Sequence, residues 1–286
     1  MDRRRIDVLG SQLSYVEGGP SAGSIVLLVH GNPTSSFLWR HVLPGLSTTY
    51  RCLAVDLIGM GHSDQPDLDY GFADHARYLE GFVDALGLRD VTVIGHDWGA
   101  VLGLDLLGRR PDVVGRIAVC EGHLHSFAGW DDMDPGSREL FRSLRVPGVG
   151  EQVVQQNNVF IEQVLPAGMA RRLTPPEWAA YRAPFPTPER RLTILRWAQQ
   201  IPVAGEPADV AEVVARNQQI LLHGRVPRLL LYGQPGAVVT SAEVDWVRRE
   251  SDGVQLVDLG PGTHFLPEDQ PEAIMAAVRS WLSERT

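Results

Sequence analysis

The sequence predicts an α/β fold in which a mainly parallel β-sheet is covered by helices on both faces. Three observations predict it. Short strand-type runs such as SIVLLVH and VTVIGH alternate with helical patterns in the first part of the chain. These runs are apolar throughout, as a strand requires when both of its faces are covered. The strand pattern returns near the carboxyl end in PRLLLYG and VQLVDLG, after a long helical stretch.

The first part of the chain provides four predicted strands, SIVLLVH, YRCLAVD, VTVIGH and RIAVCEG. Two predicted helices lie between them. FADHARYLEGFVDALGL has apolar residues at helical spacing and a stop signal at Gly87, and WGAVLGLDLLGRRPD ends in basic residues before Pro111. Right-handed crossovers through such helices make the strands parallel neighbours.

Residues 126–220 break this alternation, because they contain helix signals and prolines but no convincing strand. SRELFRSL, PEWAAYRAPF, PERRLTILRWAQQ and PADVAEVVARNQQILL each favour a helix, and PEAIMAAVRSWLSE predicts a closing amphipathic helix after the last strand. The sequence therefore predicts a core formed by residues 1–125 and 221–286, with a helical cap at 126–220 inserted between the two parts.

The composition is that of an ordinary globular protein. The chain has 286 residues, of which 44% are hydrophobic and 21% are charged, and a chain of this length buries a sizeable core without staples. The two cysteines, Cys52 and Cys120, lie in strand-type runs, which favours buried reduced thiols over a disulfide. No group of residues has the spacing of a zinc-ligand set.

Charge and hydropathy argue against two classes of partner. A net charge of −9 disfavours nucleic acids and anionic membranes, since both attract a basic surface. The charged start MDRRRIDVLG is not followed by the apolar segment of a secretory signal, and no apolar run approaches the length of a membrane span. We therefore expect a cytoplasmic protein that binds neither.

The stretch VTVIGHDWGA, residues 91–100, places a carboxylate between a strand and a helix with a glycine on each side. This is the arrangement of a nucleophile elbow, a strained turn that lifts one side chain above the sheet. Asp97 occupies the nucleophile position. A carboxylate with a reference pKa of ~3.9 is ionised at neutral pH and needs no base to attack. Taken alone, Asp97 is equally well interpreted as an ordinary N-cap residue.

Two further loops favour the interpretation of Asp97 as a nucleophile. HGNPTSSFLWR follows the first predicted central strand, where α/β hydrolases supply one backbone N–H of an oxyanion hole; the residue after the nucleophile supplies the other. This assigns the backbone N–H groups of Asn32 and Trp98. His264 lies in LGPGTHFLPEDQPEAI after the last strand, where the base is expected. The alternatives are a turn residue for Asn32 and simple core packing for Trp98.

A third group should hold the base in its charged form. The loop GQPGAVVTSA, after the PRLLLYG strand, contains no acid, so Glu121 at the end of RIAVCEG is the predicted acid rather than a surface carboxylate. An aspartate that attacks an sp3 carbon also needs its leaving group stabilised. Neutral N–H donors suit a halide, and the indole of Trp98 and the amide of Asn32 provide them. An epoxide alkoxide would need phenols, and residues 126–220 contain the single tyrosine Tyr181.

The chain resembles the haloalkane dehalogenases of the α/β-hydrolase superfamily, most of all the subgroup whose catalytic acid is a glutamate after the sixth strand. The resemblance rests on HGNPTSSFLWR, DLIGMGHSDQP, GHDWGA, AAYRAPF, IPVAGEPADV, PGAVVT and HFLPEDQPEAI, which span nearly the whole chain. It implies an α/β-hydrolase fold with an eight-stranded, mainly parallel sheet. It also implies the catalytic residues Asp97, His264 and Glu121, with Asn32 and Trp98 binding the halide through their side chains and an oxyanion through their backbone N–H groups.

The implied reaction converts a haloalkane and water to an alcohol, a halide and a proton. The implied partners are a small halogenated alkane or alkene and the halide ion, with no metal or organic cofactor, and we expect a monomer or small homo-oligomer. The sequence departs from the family in GHLHSF after Glu121, where an apolar segment with a proline is expected, and in Ala198, where proline is usual. His123 and His125 either line the pocket or are solvated, and we favour the interpretation as solvated side chains.

Three other functions use the same scaffold. Coelenterazine-using luciferases resemble this subgroup and share the Asp, His, Glu, Asn and Trp pattern, although they are oxygenases. Epoxide hydrolases tend to carry an aromatic residue where this chain has Asn32, and the lone Tyr181 also counts against them. A non-catalytic binder would be expected to lose one of the five residues, and all five are present.

Overall fold

The computed structural model describes residues 1–284 and is built around one eight-stranded sheet. The strands are β1 (Asp2–Val8), β2 (Ser11–Gly18), β3 (Ile25–Val29), β4 (Arg51–Val55), β5 (Val91–His96), β6 (Val114–Cys120), β7 (Arg228–Pro235) and β8 (Val254–Gly262). Their order across the sheet is β1-β2-β4-β3-β5-β6-β7-β8. β2 pairs antiparallel with β1 and β4, and every other neighbouring pair is parallel.

The six strands predicted from apolar runs are β3 to β8, and the predicted parallel sheet is confirmed. The continuous apolar runs have a direct structural cause. Successive residues of β3 enter two different hydrophobic clusters, with Leu27 and Val29 in one and Val26 and Leu28 in the other. Because side chains alternate along a strand, the two clusters lie on opposite faces, and both faces of the central sheet are buried.

The eight strands implied by the family resemblance are present, but the hairpin of β1 and β2 was not located from the sequence. It forms one edge of the sheet, and most of β1 is exposed, including Arg3, Arg4 and Arg5. Charged side chains are typical of edge strands, where they oppose pairing with another chain. The same charges remove the continuous apolar run by which the other strands were recognised.

Helices cover the sheet and fill the segment between β6 and β7. They are α1 (Leu43–Leu46), α2 (Phe72–Ala85), α3 (Trp98–Arg109), α4 (Pro135–Leu144), α5 (Leu165–Ala167), α6 (Pro175–Arg182), α7 (Leu192–Gln199), α8 (Ala208–His223), α9 (Ser241–Glu250), α10 (Leu266–Asp269) and α11 (Pro271–Ser283). Two π-helical segments, Glu151–Gln156 and Phe160–Val164, also lie in that segment.

The contacts between this segment and the core include one made by α8 and one made by α7. α8 lies against α3, where the side-chain amide of Asn217 donates to the carbonyl of Val101 at 2.8 Å. α7 contacts the carboxyl edge of the sheet, where the side-chain amide of Asn32 donates to the carbonyl of Ile194 at 3.2 Å. The inserted segment therefore lies partly over the end of the sheet at which β5 delivers Asp97.

Two predictions about composition can be compared with the structure. Cys52 and Cys120 are both buried and free, as predicted, and burial raises the pKa of Cys52 to about 11. Among residues 1–284, no helix has both the length and the apolar character needed to cross a membrane.

Candidate active site

Asp97 lies alone between the end of β5 and the start of α3. Its backbone has φ 54° and ψ −125°, a region that non-glycine residues rarely occupy and that marks a strained turn. An N-cap aspartate accepts a hydrogen bond from the second or third residue of its helix, and Asp97 makes no such capping bond. The conformation fits a nucleophile elbow rather than an ordinary helix cap.

The flanking glycines allow the chain to make this turn. A Cβ added to Gly95 would lie 2.4 Å from Cα of Ala100, and one added to Gly99 would lie 2.2 Å from the carbonyl oxygen of Val29. Both distances are far inside van der Waals contact. Any side chain at either position would push α3 away from β3 and β5 and move Asp97.

The Asp97 carboxylate is buried, with 6% of the residue exposed. Its Oδ1 accepts a hydrogen bond from the backbone N–H of Asn32 at 2.7 Å, and its Oδ2 lies 3.6 Å from Nε2 of His264. Burial raises the pKa of Asp97 above its ordinary value, although the charge of His264 and the backbone N–H groups of Trp98 and Asn32 act in the opposite direction. One of the two predicted oxyanion donors, the backbone N–H of Asn32, therefore points to this carboxylate.

His264 follows β8 and lies between two carboxylates. Its Nδ1 is 3.4 Å from Oε2 of Glu121, and its Nε2 faces Asp97. Catalytic contacts of this kind are often long before substrate binds. Behind the ring, Nε2 of His96 donates to the backbone carbonyl of His264 at 2.8 Å, since a carbonyl can only accept. This bond fixes the backbone that carries the predicted base.

Burial would lower the pKa of His264, but the hydrogen bond to Glu121 and the negative charges of Asp97 and Glu121 raise it above its ordinary value. The ring is therefore stabilised in its protonated form as long as both carboxylates are charged. Neutralising Asp97 removes one of these causes, which lowers the pKa of His264 and favours the neutral form of the ring, the form that can accept a proton.

Glu121 comes directly after β6 and is completely buried. Its backbone is also in the left-handed region, with φ 49°. The backbone N–H groups of Ala237, Val238 and Val239 donate to its carboxylate at 3.2, 2.8 and 3.3 Å. The loop after β7, which lacks an acid, thus supplies three donors that hold the acid of the neighbouring strand. These donors were not predicted from the sequence, because every non-proline residue carries the same backbone N–H group.

Asn32 and Trp98 lie beside Asp97, both at least nine-tenths buried. The indole of Trp98 stacks on Trp197 of α7, with ring centroids 4.7 Å apart and an angle of 26° between the planes. One amide N–H of Asn32 is used by Ile194, which leaves its second N–H for a ligand. The structure therefore brings all five predicted residues together at the carboxyl edge of the sheet, with α7 packed over Asn32 and Trp98.

The interpretation of His123 as a solvated residue was wrong. Its side chain is 7% exposed, and its ring centroid lies 5.6 Å from that of Trp98. His125 is partly exposed, with 38% of its side chain accessible, and its Nε2 pairs with Glu243 at 2.9 Å. The side chain of His123 is buried and that of His125 is partly exposed. Such a change in burial over three residues cannot be predicted from composition.

One group of described residues has side chains close enough to bind a cation. The ligand atoms of His41, Glu177 and Glu268 lie within 4.8 Å of one another. The guanidinium groups of Arg40 and Arg171 already pair with both carboxylates. These arginines supply the positive charge that a cation would bring, so we interpret the group as an ion-pair cluster.

The sheet order, the strained turn after β5 and the histidine after β8 define an α/β hydrolase. The family model for the alpha/beta hydrolase fold matches residues 24–159.

The chain belongs to the haloalkane dehalogenases, which are hydrolases that act on carbon–halide bonds. It is 45% identical to a haloalkane dehalogenase of Mesorhizobium japonicum over 99% of this chain and 91% of that relative. It is 40% identical to one from Bradyrhizobium diazoefficiens over 98% of this chain and 94% of the relative. The crystal structure of haloalkane dehalogenase DbeA from Bradyrhizobium elkani matches with a TM-score of 0.94 and 40% identity, covering 99% of this chain and 97% of that one.

Proposed function

We propose that this chain hydrolyses small halogenated alkanes or alkenes through a covalent alkyl ester on Asp97. The observation that carries the proposal is the different environment of the two carboxylate oxygens. One accepts the backbone N–H of Asn32, while the other lies 3.6 Å from Nε2 of His264. A carboxylate held in this way has a fixed orientation and a neighbouring base for a second step.

In the first step, an oxygen of Asp97 attacks the carbon that bears the halogen. The new C–O bond forms as the carbon–halogen bond breaks, and the halide leaves with the bonding electrons. The amide of Asn32 and the indole N–H of Trp98 donate to the departing halide. Both are neutral donors in a buried site, where hydrogen bonds to an anion are strong because water does not compete.

In the second step, His264 removes a proton from water, and the resulting hydroxide attacks the carbonyl carbon of the ester. The oxyanion is stabilised by the backbone N–H groups of Asn32 and Trp98. Collapse releases the alcohol and restores the carboxylate, and the proton passes from His264 to solvent. Glu121 keeps the ring oriented and stabilises its charged form.

The change in the charge of Asp97 makes the second step follow the first. Asp97 is negative before the first step and uncharged as an ester. One cause that raises the pKa of His264 is the charge of Asp97, so esterification lowers that pKa and frees the ring to accept a proton. The base therefore becomes effective when the intermediate that needs it has formed.

A halide leaving group is supported over an alkoxide by the position of Tyr181. Its hydroxyl donates to Glu268 and is buried with it, so the phenol is already used in the ion-pair cluster.

We also propose that residues 126–220 form the cap over this site. α8 extends across residue 220 and lies against α3 of the core, so the boundary at residue 220 stays a prediction. The oligomeric state, a monomer or small homo-oligomer, and the cytoplasmic location also stay predictions.

The test is bromide release from 1,2-dibromoethane and 1-bromobutane by the purified protein. We expect turnover that is abolished by Asp97→Ala. We also expect His264→Phe to complete the first step only and to carry an alkyl adduct on Asp97, detected by intact-mass spectrometry and located by peptide mapping. Retained activity in Asp97→Ala would refute the nucleophile, and light emission from coelenterazine without bromide release would favour the oxygenase alternative.

A further inference from the structure

His123 is a buried imidazole next to the proposed site, and no step of the proposed reaction uses it. It lies two positions after Glu121, at the same edge of the sheet as Asp97 and His264. Its ring contacts Trp98 on one side, and the ring of Phe127 lies 6.1 Å away at 74°. The imidazole is therefore next to the indole that would bind the leaving halide.

The ring nitrogens of His123 differ from those of the other buried histidines. Neither nitrogen hydrogen-bonds to another residue of the range 1–284, whereas His96 bonds to a backbone carbonyl. Both ring nitrogens of His75 are fully enclosed and have no hydrogen-bond partner, whereas the ring nitrogens of His123 are not fully enclosed. The nitrogens of His123 thus have no hydrogen-bond partner among the described residues, and they are not fully enclosed.

The ring of His123 is neutral at physiological pH. Burial, together with the positive charges of His264 and His125, lowers its pKa to about 4. A neutral imidazole has one N–H donor and one acceptor nitrogen. An unpaired donor in a buried site is unfavourable until a ligand pairs with it.

We propose that His123 determines substrate specificity by donating a hydrogen bond to a polar substituent near the reacting carbon, such as an ether, hydroxyl or carbonyl oxygen. The inference rests on the proposed function, since it takes Asp97 and Trp98 as the groups that hold the carbon–halogen bond. The favoured substrates are haloalkanes that carry such an oxygen. A site that hydrogen-bonds a substrate group discriminates against the analogue lacking it, because a buried polar group is then left unpaired.

Two nearly isosteric substrates test this: 1-bromo-2-methoxyethane and 1-bromobutane, which differ by an oxygen in place of a methylene. The measurement is kcat/KM for bromide release from each. We expect the wild type to prefer the ether, and His123→Leu to reduce the ether-to-alkane ratio by about tenfold, the effect of one lost hydrogen bond. The value for 1-bromobutane should stay equal or rise.

Two variants separate specificity from packing. His123→Gln keeps an N–H donor and should restore part of the ratio, which a purely structural role would not do. His125→Leu removes the neighbouring imidazole, which pairs with Glu243, and should leave the ratio unchanged.

An unchanged ratio in His123→Leu, or an equal loss for both substrates without rescue by His123→Gln, would overturn the inference while leaving the proposed function standing. If the wild type releases bromide from neither of these substrates and not from 1,2-dibromoethane, the proposed function fails and the inference fails with it.

Discussion

Two clusters of buried ionisable groups, one around His264 and one around Glu268, differ in how completely their charges are paired. His264 and Glu268 are four positions apart after β8. Around His264, the distances to the carboxylates of Glu121 and Asp97 are 3.4 and 3.6 Å, at or beyond the limit of a good hydrogen bond. Around Glu268, both oxygens are fully paired, with partners Arg40, Arg171 and Tyr181.

The effects on pKa are also opposite. Burial raises the pKa of Asp97, and its partners do not overcome that effect. Burial acts on Glu268 in the same direction, but hydrogen bonds from Arg40 and Tyr181 and the charge of Arg40 hold its pKa below the ordinary value. The fold therefore favours the ionised form of Glu268 and disfavours the ionised form of Asp97.

The two clusters also connect different parts of the fold. Arg40 and Glu268 belong to the core, whereas Arg171, Glu177 and Tyr181 belong to the inserted segment, so the paired cluster joins the two. The proposed catalytic groups Asp97, Glu121 and His264 all come from the core. This separation predicts that one cluster can be changed with an effect mainly on activity and the other with an effect mainly on stability.

After Asp97→Ala, the largest effect is expected from Glu121→Gln, which keeps the shape of the acid and removes its charge. We expect kcat for bromide release to fall by about 10³–10⁴-fold, because the protonated ring that forms in the second step loses its counterion. The alkyl ester on Asp97 should then accumulate and be visible by intact mass, since the first step does not use His264.

The same variant should change the pH dependence. Glu121 raises the pKa of His264 by its hydrogen bond and by its charge. Without it, that pKa falls, so the acid limb of the kcat–pH profile should move to lower pH while the plateau is reduced. Glu243→Gln, which alters the partner of His125, is the matched control and should keep the wild-type profile. An unshifted acid limb in Glu121→Gln would rule out Glu121 as the partner of the base.

These contrasts also indicate how far the sequence alone could go. The central strands were predictable because burial on both faces imposes continuous apolar runs. The positions of Asp97 and His264 at one edge of the sheet were predictable because each follows a strand. The ion-pair cluster was not predictable, because Arg40 and Glu268 are separated by 228 positions and charged residues usually lie on the surface. The burial of His123 depends on a local turn of the backbone that composition does not specify.

The second prediction concerns Glu268→Gln. Removing one charge leaves Arg40 and Arg171 partly uncompensated in a buried cluster, so the free energy of unfolding should fall by about 3 kcal/mol, measured by urea denaturation. The kcat of the folded fraction should stay within a few fold. The folded-state pKa of Glu268 is depressed. The stabilisation of the fold by ionised Glu268 is therefore present above the unfolded-state pKa and is lost as pH falls through the folded-state pKa. The free energy of unfolding of Glu268→Gln should lack this pH dependence.

Arg182→Gln is the matched control for an exposed ion pair. Arg182 pairs with Glu162, and their side chains are 50% and 34% exposed. Its loss should change the free energy of unfolding by no more than about 0.5 kcal/mol. Equal effects of Glu268→Gln and Arg182→Gln would remove the distinction between a buried stabilising cluster and an ordinary surface pair.

The smallest expected effect, and the one of opposite sign, is a gain in stability from Asp97→Asn. The substitution keeps an oxygen that can accept the N–H of Asn32 and removes the buried charge. The folded-state pKa of Asp97 is raised, so at neutral pH its ionised form favours the unfolded chain. That cost diminishes as pH falls through the raised pKa toward the unfolded value. We expect a gain of about 1 kcal/mol at neutral pH, typical of single stabilising substitutions, which shrinks on acidification. Urea denaturation at several pH values measures it, and a variant less stable than the wild type throughout would mean that the pair with His264 outweighs the burial of the charge.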